Sequence, residues 1–471
     1  MQPKQETLVM KFGGTSVGSA DAMAQVVEIA LQARKSWSKV VLVTSALSGV
    51  TNLLLDSASQ AVNGDTQTYT QVVFQLRQKH FEIADQLIAN LARRDQVKQE
   101  INHLISEFSN LCHAISVLGE ASPRALDAVA ALGERMSVRL LAAATESAGQ
   151  PAQFVEASQL IVTDRQFQSA HPIMEASREK MRAVLNPILD EGAIAVVTGF
   201  MAATEDGIIT TLGRGGSDYS AALVGALLPS QEVWIWTDVD GVMTADPRLV
   251  PEAHTIPTLS YREVAELAYY GAKVLHPLTI RPVVEAGVGL RVLNTFNPAN
   301  PGTEIVRDMQ TNSGKVIKAV TAIKGLRLIT VDGRGMLGVP GVAARTFSTV
   351  AATGVSVPLI SQASSEQSIC FAVPAESADE VVAALQNTFA REIERRDIDR
   401  IWATHNVGTI TVVGAGMSST PGVAGKVFSA LGDNQVNVIA IAQGSSEVSI
   451  SLMVTEEDIK RAVVTLHPLI A

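Results

Sequence analysis

A lysine and two glycines, Lys11-Phe-Gly-Gly14, stand between an apolar run and an amphipathic segment near the start of the chain. The run Thr7–Met10 predicts a strand, and the apolar residues of Met23–Ala30 recur at helical spacing. In a strand–turn–helix unit, backbone N–H groups and a helix N-terminus point at the turn, which favours a bound phosphate. Lys11 would add a mobile positive charge. The spacing alone is equally compatible with a tight turn beside a solvated lysine.

A second glycine-rich turn, Leu212-Gly-Arg-Gly-Gly-Ser-Asp218, follows a strand-like run and opens a helical segment. Its glycines expose backbone N–H groups. The guanidinium of Arg214 can bind a carboxylate or a phosphate through two hydrogen bonds, and Asp218 stands at the helix start. This turn therefore predicts a second site for an anion, like the turn at Lys11.

An acidic turn, Thr237-Asp-Val-Asp-Gly241, follows a third apolar run, and the cations Arg248 and Lys273 come after it. Its carboxylates could bind Mg²⁺ directly or position a nucleotide through waters. Each feature alone is also typical of a cap, a turn or a surface charge. Together, turns that carry lysine and arginine at strand ends favour phosphoryl transfer, in which catalysis depends on positioning and charge neutralisation.

The elements that must position these turns are short apolar runs that alternate with helical patterns. Four of the runs predict buried strands: Val40–Val43, Ala193–Val197, Val233–Trp236 and Leu290–Leu293. Such a pattern indicates an α/β fold whose mainly parallel sheet is covered by helices on both faces, with ligands at the carboxyl ends of the strands. Residues 65–118 are charged and lack Gly and Pro, and they predict a helical excursion.

The C-terminal third of the chain contains an internal duplication. Residues 326–373 align with 407–454 at a constant offset of 81, without a gap, and 22 of the 48 positions are identical. Each copy reads strand, helix, strand, strand, with the helices at Val342–Ala352 and Val423–Leu431. The first copy's second strand is predicted at Val355–Ile360. The segment Asn297–Gly302, followed by the polar Arg307–Lys315, is the best candidate domain boundary.

Composition excludes several classes of protein. The net charge of −10 argues against nucleic acid or an anionic membrane as a partner. No apolar run approaches the roughly 18 residues of a membrane span. Cys112 and Cys370 have no metal-ligand spacing, so we expect free thiols, a cytoplasmic location and no dedicated protein metal site.

Taken together, the motifs resemble those of the aspartate kinases, members of the amino-acid-kinase superfamily, over nearly the whole chain. The resemblance rests on Lys11–Val17, Ser45, Thr51–Leu54, Gly133–Arg135, Thr211–Asp218, Thr237-Asp238, Asp246–Arg248 and Gly271–Pro277. It implies a three-layer αβα kinase domain over residues 1–305. It also implies transfer of the ATP γ-phosphate, with Mg²⁺, to the β-carboxylate of L-aspartate, the first step towards lysine, threonine and methionine.

The resemblance also implies roles for individual residues. Lys11 and Asp218 would be catalytic. The aspartate site would consist of Thr51, Glu134, Arg214 and Ser217. The ATP site would consist of Lys11, Phe12, Gly13, Gly14, Ser45, Thr237, Asp238, Met243, Arg248, Lys273 and Val274. Met243 departs from the family pattern, which usually has Tyr there, and this puts one ribose or adenine contact in doubt.

The duplication resembles the paired ACT domains of this family, which have ferredoxin-like βαββαβ folds. We expect a regulatory region at 306–471, with a first ACT domain at about 325–403 inserted in a second, at about 314–324 plus 404–471. Gln362 and Gln443 would contact an inhibitor, threonine, with lysine as the rival; alternatively both glutamines only cap strands. ACT pairing implies a homodimer or a larger homo-oligomer.

The regulatory sequence is most similar to that of threonine-sensitive bifunctional aspartate kinase–homoserine dehydrogenases. Because the chain ends at Ala471, we expect a monofunctional enzyme or the kinase part of a longer one. Two rival functions stay open. One is a non-catalytic sensor of amino acid and nucleotide, and the other is a kinase acting on N-acetylglutamate, glutamate or UMP.

Overall fold

The computed structural model describes residues 4–269, 275, 277–307, 316–336, 339–362, 367–417, 420–443 and 448–470. Their contacts define two compact units. Unit 1 comprises the described residues of 1–242, 255–261 and 273–308; unit 2 comprises those of 243–254, 262–272 and 309–471. Two segments that the sequence assigned to the kinase domain, 243–254 and 262–272, thus group with the C-terminal residues.

Strands and helices alternate through the first 308 residues. The strands are β1 (Lys4–Phe12), β2 (Trp37–Thr44), β3 (Ala152–Val155), β4 (Val162–Thr163), β5 (Ile194–Thr198), β6 (Met201–Thr204), β7 (Ile209–Thr211), β8 (Ser230–Thr237), β9 (Thr258–Ser260), β10 (Gly289–Asn294) and β11 (Thr303–Val306). The helices are α1 (Ala20–Ser36), α2 (Val50–Val62), α3 (Thr66–Leu87), α4 (Leu91–Leu118), α5 (Pro123–Ser147), α6 (Met174–Asp190), α7 (Gly216–Leu227), α8 (Tyr261–Tyr269) and α9 (Pro277–Ala286).

The main sheet of unit 1 has eight strands in the order β3-β5-β2-β1-β8-β10-β11-β9. All neighbours are parallel except β10 and β11. The four strands predicted from apolar runs lie in β2, β5, β8 and β10, and the mainly parallel α/β architecture is confirmed. All five residues of β5 are buried, as expected for a strand covered on both faces. The strand ends of β1, β2 and β8 therefore lie side by side.

The charged stretch 65–118 forms α3 and α4. Asp65 caps α3 by accepting hydrogen bonds from the N–H groups of Gln67 and Thr68. Both helices bury one apolar face, which includes Leu76 and Phe108, in the same hydrophobic core as β1, α1 and α5. The excursion thus packs beside the sheet through its apolar stripe and leaves its charges in solvent.

The C-terminal residues form one antiparallel sheet with flanking helices. Its strands are β12 (Ala319–Asp332), β13 (Leu359–Gln362), β14 (Ser368–Pro374), β15 (Arg400–Ala403), β16 (Val407–Val413), β17 (Ala440–Ala442) and β18 (Ser449–Thr455). Its helices are α10 (Val342–Ala352), α11 (Ala378–Thr388), α12 (Ala390–Glu394), α13 (Val423–Asp433) and α14 (Ile459–Leu466).

Strand β12 serves both copies of the repeat. Its first half pairs with β16, and its second half pairs with β14 and β15. The strand predicted at Val355–Ile360 forms only from Leu359 onwards. The equivalent strand β17 starts at the corresponding residue, Ala440, although Ile439 stands in the place of Pro358, so the late start is common to both copies.

None of the helices in the described ranges is both long and apolar enough to cross a membrane.

Candidate functional site

A cleft of about 650 Å³ lies in unit 1 where the loops after β1 and β2 meet the starts of α2 and α7. Helix α5 forms one wall. The structure brings the following predicted site residues together in its lining: Lys11, Gly14, Ser45, Thr51, Glu134, Arg214, Ser217 and Asp218. These residues come from five separate stretches of the chain. Ser45 follows a strand of the main sheet, whereas Arg214, Ser217 and Asp218 follow β7, which belongs to a separate sheet of β4, β6 and β7.

Lys11 and Asp218 form an ion pair in this cleft. Lys11 is the penultimate residue of β1, and Asp218 lies in the first turn of α7. Lys11 Nζ is 2.5 Å from Asp218 Oδ1, and the two side chains are only 11% and 15% exposed. The pair therefore holds the lysine ammonium at a defined point where a phosphate can approach.

The glycine loop after β1 packs closely on the loop after β2. A Cβ on Gly14 would lie 3.0 Å from Ala46 O, and one on Gly18 would lie 3.0 Å from Ser48 Cβ. The Ser16 hydroxyl, which is buried, lies 2.7 Å from Thr295 Oγ1. The loop is thus held from both sides, and larger residues at its glycines would separate it from its neighbour.

Two helix N-termini contribute to the cleft. Gly49 precedes α2 with φ of 80°, and Gly215 precedes α7 with φ of 72°; neither helix has a side-chain cap at this position. The first N–H groups of an uncapped helix are hydrogen-bond donors without an intrahelical partner. Together with the helix dipoles they make the cleft suitable for anions.

Glu134 is a buried carboxylate on the α5 wall. It is 3% exposed, and its Oε1 accepts a hydrogen bond from Ala46 N at 3.2 Å. Its Oε2 is also buried and has no hydrogen-bond partner among the residues that the structure describes. Burial raises the pKa of the Glu134 carboxyl to about 8, although the bond from Ala46 favours the ionised form. The second oxygen is therefore left without a hydrogen bond from the described residues.

Arg214 and Ser217 lie on the loop that leads into α7. Arg214 is exposed, and no described residue forms an ion pair with it. Ser217 packs on Gly199 so closely that a Cβ there would lie 2.6 Å from Ser217 Cβ. The guanidinium is thus available for an anion, while the hydroxyl of Ser217 is held by its neighbour.

Asp127, Gln168 and Phe200 are among the cleft-lining residues that the sequence analysis did not single out. Asp127 lies seven residues before Glu134, so helical periodicity places both on one face of α5, and this signal was available. Gln168 and Phe200 have positive φ angles of 71° and 65°. Nothing in the residue types signals that unusual backbone, which elsewhere often marks functional sites.

The other predicted ATP-site residues do not line this cleft. Phe12 is fully buried, and Gly13 donates its N–H to Trp236 O in the β-sheet. Thr237 and Asp238 lie at the carboxyl end of β8, in unit 1, whereas Met243 and Arg248 group with unit 2. Lys273 and Val274 lie outside the described residues.

Arg248 forms an ion pair with Asp246 at 2.7 Å, and this contact holds the pKa of the Asp246 carboxyl below its usual value. The Arg248 side chain is 85% exposed. The ion pair with Asp246 thus orders the Arg248 side chain, which stays accessible to solvent.

Comparison with known proteins agrees with this geometry. A family model described as "Amino acid kinase family" matches residues 6–294, and an ACT domain model matches 329–389 and 410–468. Aspartokinase 3 of Arabidopsis thaliana is 33% identical over 98% of this chain and 81% of its own length. The chain belongs to the aspartate kinases.

Other aspartate kinases match in structure as well as in sequence. Escherichia coli aspartokinase III in complex with aspartate and ADP is 30% identical, with a TM-score of 0.82 over 98% of this chain and 99% of its own. Bifunctional aspartokinase/homoserine dehydrogenase 1 of Zea mays is 37% identical over 98% of this chain and 50% of its own length. The chain thus spans about half the length of such bifunctional relatives.

The two glutamines predicted as effector contacts occupy equivalent places in the ACT region. Gln362 is the last residue of the edge strand β13, and Gln443 follows the edge strand β17. Both side chains are exposed. Their positions are related by the repeat offset, so any ligand contact made by one copy is geometrically open to the other.

The described part of the chain contains no group of three or more His, Cys, Asp or Glu side chains that could hold a metal ion. Asp218, the carboxylate closest to Lys11, is already engaged by that lysine.

Proposed function

We propose that the chain transfers the γ-phosphate of ATP to the β-carboxylate of L-aspartate and forms 4-phospho-L-aspartate. The observation that carries this proposal is the shielded Lys11–Asp218 ion pair in a cleft that also holds Glu134 and Arg214. Lys11 supplies a cation for the transferring phosphate. The carboxylate of Glu134 and the guanidinium of Arg214 supply partners for the ammonium and carboxylate groups of an amino acid.

The reaction needs little acid–base chemistry. A carboxylate acceptor is already ionised near neutral pH, so no residue has to remove a proton from it. A carboxylate oxygen attacks the γ-phosphorus, the bond from phosphorus to the bridging oxygen breaks, and ADP leaves. Lys11 neutralises charge on the transferring group, and the N-termini of α2 and α7 donate N–H groups towards it.

Aspartate is bound by groups of complementary charge. Arg214 binds a substrate carboxylate, and the free Oε2 of Glu134 binds the ammonium group. Thr51 and Ser217 supply hydroxyl groups at the starts of α2 and α7. The exposed cation and the buried anion thus fix the orientation of the amino acid, which leaves its β-carboxylate directed towards Lys11.

ATP is held by residues of several loops. In this proposal they are Phe12, Gly13, Gly14, Ser45, Thr237, Asp238, Met243, Arg248, Lys273 and Val274, together with Lys11. Mg²⁺ enters with the nucleotide and neutralises phosphate charge when bound. In this proposal nucleotide phosphates and water would supply most of its ligands.

The test is an assay with ATP, Mg²⁺ and L-aspartate in which hydroxylamine traps the acyl phosphate as a hydroxamate. Wild type should form the hydroxamate, and Lys11→Ala should lose at least about a hundredfold in rate. The matched control is Lys39→Ala, because Lys39 pairs with Asp190 outside the cleft lining. Full activity in Lys11→Ala, or no hydroxamate from wild type, contradicts the proposal.

The rival functions are separated by the same assay. A panel of N-acetylglutamate, glutamate and UMP identifies another kinase of the superfamily. Nucleotide binding without turnover of any of these substrates identifies a sensor. The half-length matches also favour a second candidate, the kinase part of a bifunctional enzyme, which has the same kinase chemistry.

For regulation we propose threonine as the inhibitor, bound near Gln362 and Gln443 in a homodimer or larger assembly in the cytoplasm. Lysine is the rival, because a structure of E. coli aspartokinase III is described with lysine and aspartate. The free thiol of Cys112, which is buried, fits a reducing compartment.

A further inference from the structure

Asp127 is a second buried carboxylate in the cleft lining, and the proposed chemistry does not use it. It lies on α5, seven residues before Glu134, and is 1% exposed. No described cation forms an ion pair with it. A buried carboxylate without a cation is costly unless hydrogen bonds satisfy it, so the donors around it show what it does.

Three hydrogen bonds from two separate segments satisfy this carboxylate. Thr211 donates twice, through its N–H to Oδ2 at 3.0 Å and through its hydroxyl to Oδ1 at 2.7 Å. The Gln168 N–H lies 2.9 Å from Oδ2 and 3.1 Å from Oδ1. Burial raises the pKa of the Asp127 carboxyl, and these bonds oppose that rise.

Both segments continue into the cleft. Thr211 ends β7, three residues before Arg214. Gln168 has a positive φ, and its carbonyl oxygen lies 3.1 Å from the point where a Cβ on Gly213 would be. Ala170 also donates its N–H to Thr211 O at 2.9 Å. Asp127 therefore links two segments through hydrogen bonds. One is the backbone just before Arg214, and the other is the Gln168 loop that packs against this backbone.

We propose that Asp127 is a positioning residue for Arg214. It fixes the Thr211–Gly213 backbone and so sets the place of the guanidinium that binds the aspartate carboxylate. This inference rests on the proposed function, because it takes Arg214 as a substrate contact. Asp127 itself does not take part in phosphoryl transfer.

The test is Asp127→Asn in the hydroxamate assay. Asparagine has the same shape but no charge, and its NH₂ group cannot accept: it either faces a backbone N–H or replaces the hydrogen bond that the Thr211 hydroxyl donates. The KM for aspartate should rise roughly tenfold or more, while the KM for ATP stays within about twofold. Thr211→Val removes one donor and should shift the aspartate KM in the same direction by less.

The matched control is Asp164→Asn. Asp164 accepts hydrogen bonds from the N–H groups of Gln166 and His171 within the loop that also carries Gln168, but Asp164 itself does not line the cleft. This variant should leave the aspartate KM unchanged. An equal rise in Asp127→Asn and Asp164→Asn would show that loosening this region at any point has the same effect, and the inference would be wrong.

A double-mutant cycle with Arg214→Ala decides whether Asp127 acts through the arginine. If it does, Asp127→Asn should add less than about twofold to the aspartate KM of Arg214→Ala, because the positioned group is gone. If the two substitutions together raise the aspartate KM by the product of their separate effects, the inference is wrong. If Asp127→Asn does not fold, the same cycle is run with Thr211→Val.

Failure of the proposed function looks different from failure of this inference. The former gives no hydroxamate from wild type, or a normal aspartate KM in Arg214→Ala. The latter gives an active wild type, an impaired Arg214→Ala, and an unchanged aspartate KM in Asp127→Asn.

Discussion

Lys318 and Glu263 form an ion pair that is almost completely shielded from solvent. Lys318 Nζ is 2.9 Å from Glu263 Oε2, and the two side chains are 7% and 0% exposed. The other oxygen of Glu263 accepts a hydrogen bond from Ala415 N at 2.7 Å. Lys318 directly precedes β12, and Glu263 lies on α8. Within unit 2 this pair attaches α8 to the antiparallel sheet of the ACT region.

Lys318→Met should destabilise unit 2 strongly, because it removes the Lys318 ammonium from the buried Glu263 carboxylate. We expect the free energy of unfolding to fall by about 3–5 kcal/mol, measured by urea denaturation followed by circular dichroism. Lys318→Met combined with Glu263→Gln should recover part of this loss, since the amide is uncharged and still accepts from Ala415.

The control for that experiment is Lys39→Met, which breaks the exposed pair with Asp190, whose side chain is 62% exposed. A loss of no more than about 1 kcal/mol is expected there. Equal losses in Lys39→Met and Lys318→Met would contradict the argument, since burial would then make no difference.

Glu134 should make aspartate binding depend on pH. With a pKa of about 8, its carboxyl is mostly neutral at pH 7 in the free protein, and binding an ammonium group requires loss of that proton. The aspartate KM should therefore fall as pH rises from 6 to about 8 and then level off. In Glu134→Gln the KM should be at least about tenfold higher, and this fall should disappear.

The same group should affect stability in a defined direction. Its folded pKa lies above its ordinary value of 4.5, so the native state retains a proton that the unfolded chain releases. Its stabilising contribution is complete below about pH 4.5 and declines up to about pH 8. Glu134→Gln should therefore melt at a higher temperature than wild type at pH 9. If Glu134→Gln melts at a lower temperature than wild type at pH 9, ionisation of the Glu134 carboxyl does not destabilise the folded protein.

Local features explain why much of the cleft was predictable. The Lys11 turn and the Arg214 turn each join a strand to a helix, and glycine, lysine and arginine have specific uses there. However, β1 belongs to the main sheet and β7 to the separate sheet of β4, β6 and β7. The sequence therefore predicts each turn, whereas the pairing of Lys11 with Asp218 depends on how these two sheets pack within unit 1.

Contacts that depend on packing between distant segments were not predictable in the same way. Asp127 receives its hydrogen bonds from Thr211, 84 positions away, and the sequence shows no pattern that joins them. Ala245 and Val250 enter the apolar core that includes Val320 and Val427. Two short apolar residues in a loop give no periodicity, so the sequence does not signal these contacts.

Gly199→Ala should weaken aspartate binding without touching a charged residue. Its new Cβ would lie 2.6 Å from Ser217 Cβ and 2.9 Å from Ser217 Cα, so the start of α7 must shift. We expect a stability loss of about 1–3 kcal/mol and an aspartate KM raised roughly tenfold, measured in the hydroxamate assay. Gly432→Ala on α13 is the control, because nothing lies within 4 Å of its added Cβ and alanine favours helix. An unchanged aspartate KM in Gly199→Ala would show that Ser217 is not held by this contact.

Gln362→Ala and Gln443→Ala should each reduce inhibition by threonine. Loss of one neutral hydrogen bond to the inhibitor corresponds to a half-inhibitory concentration about three- to tenfold higher. Because the repeat places the glutamines at equivalent strand ends, both variants should shift inhibition in the same direction. Gln71→Ala, an exposed glutamine on α3, is the control. Inhibition by lysine, with no response to a tenfold excess of threonine over aspartate, would show that the inhibitor assignment is wrong. Lower melting temperatures with unchanged inhibition would show that the glutamines only cap their strands.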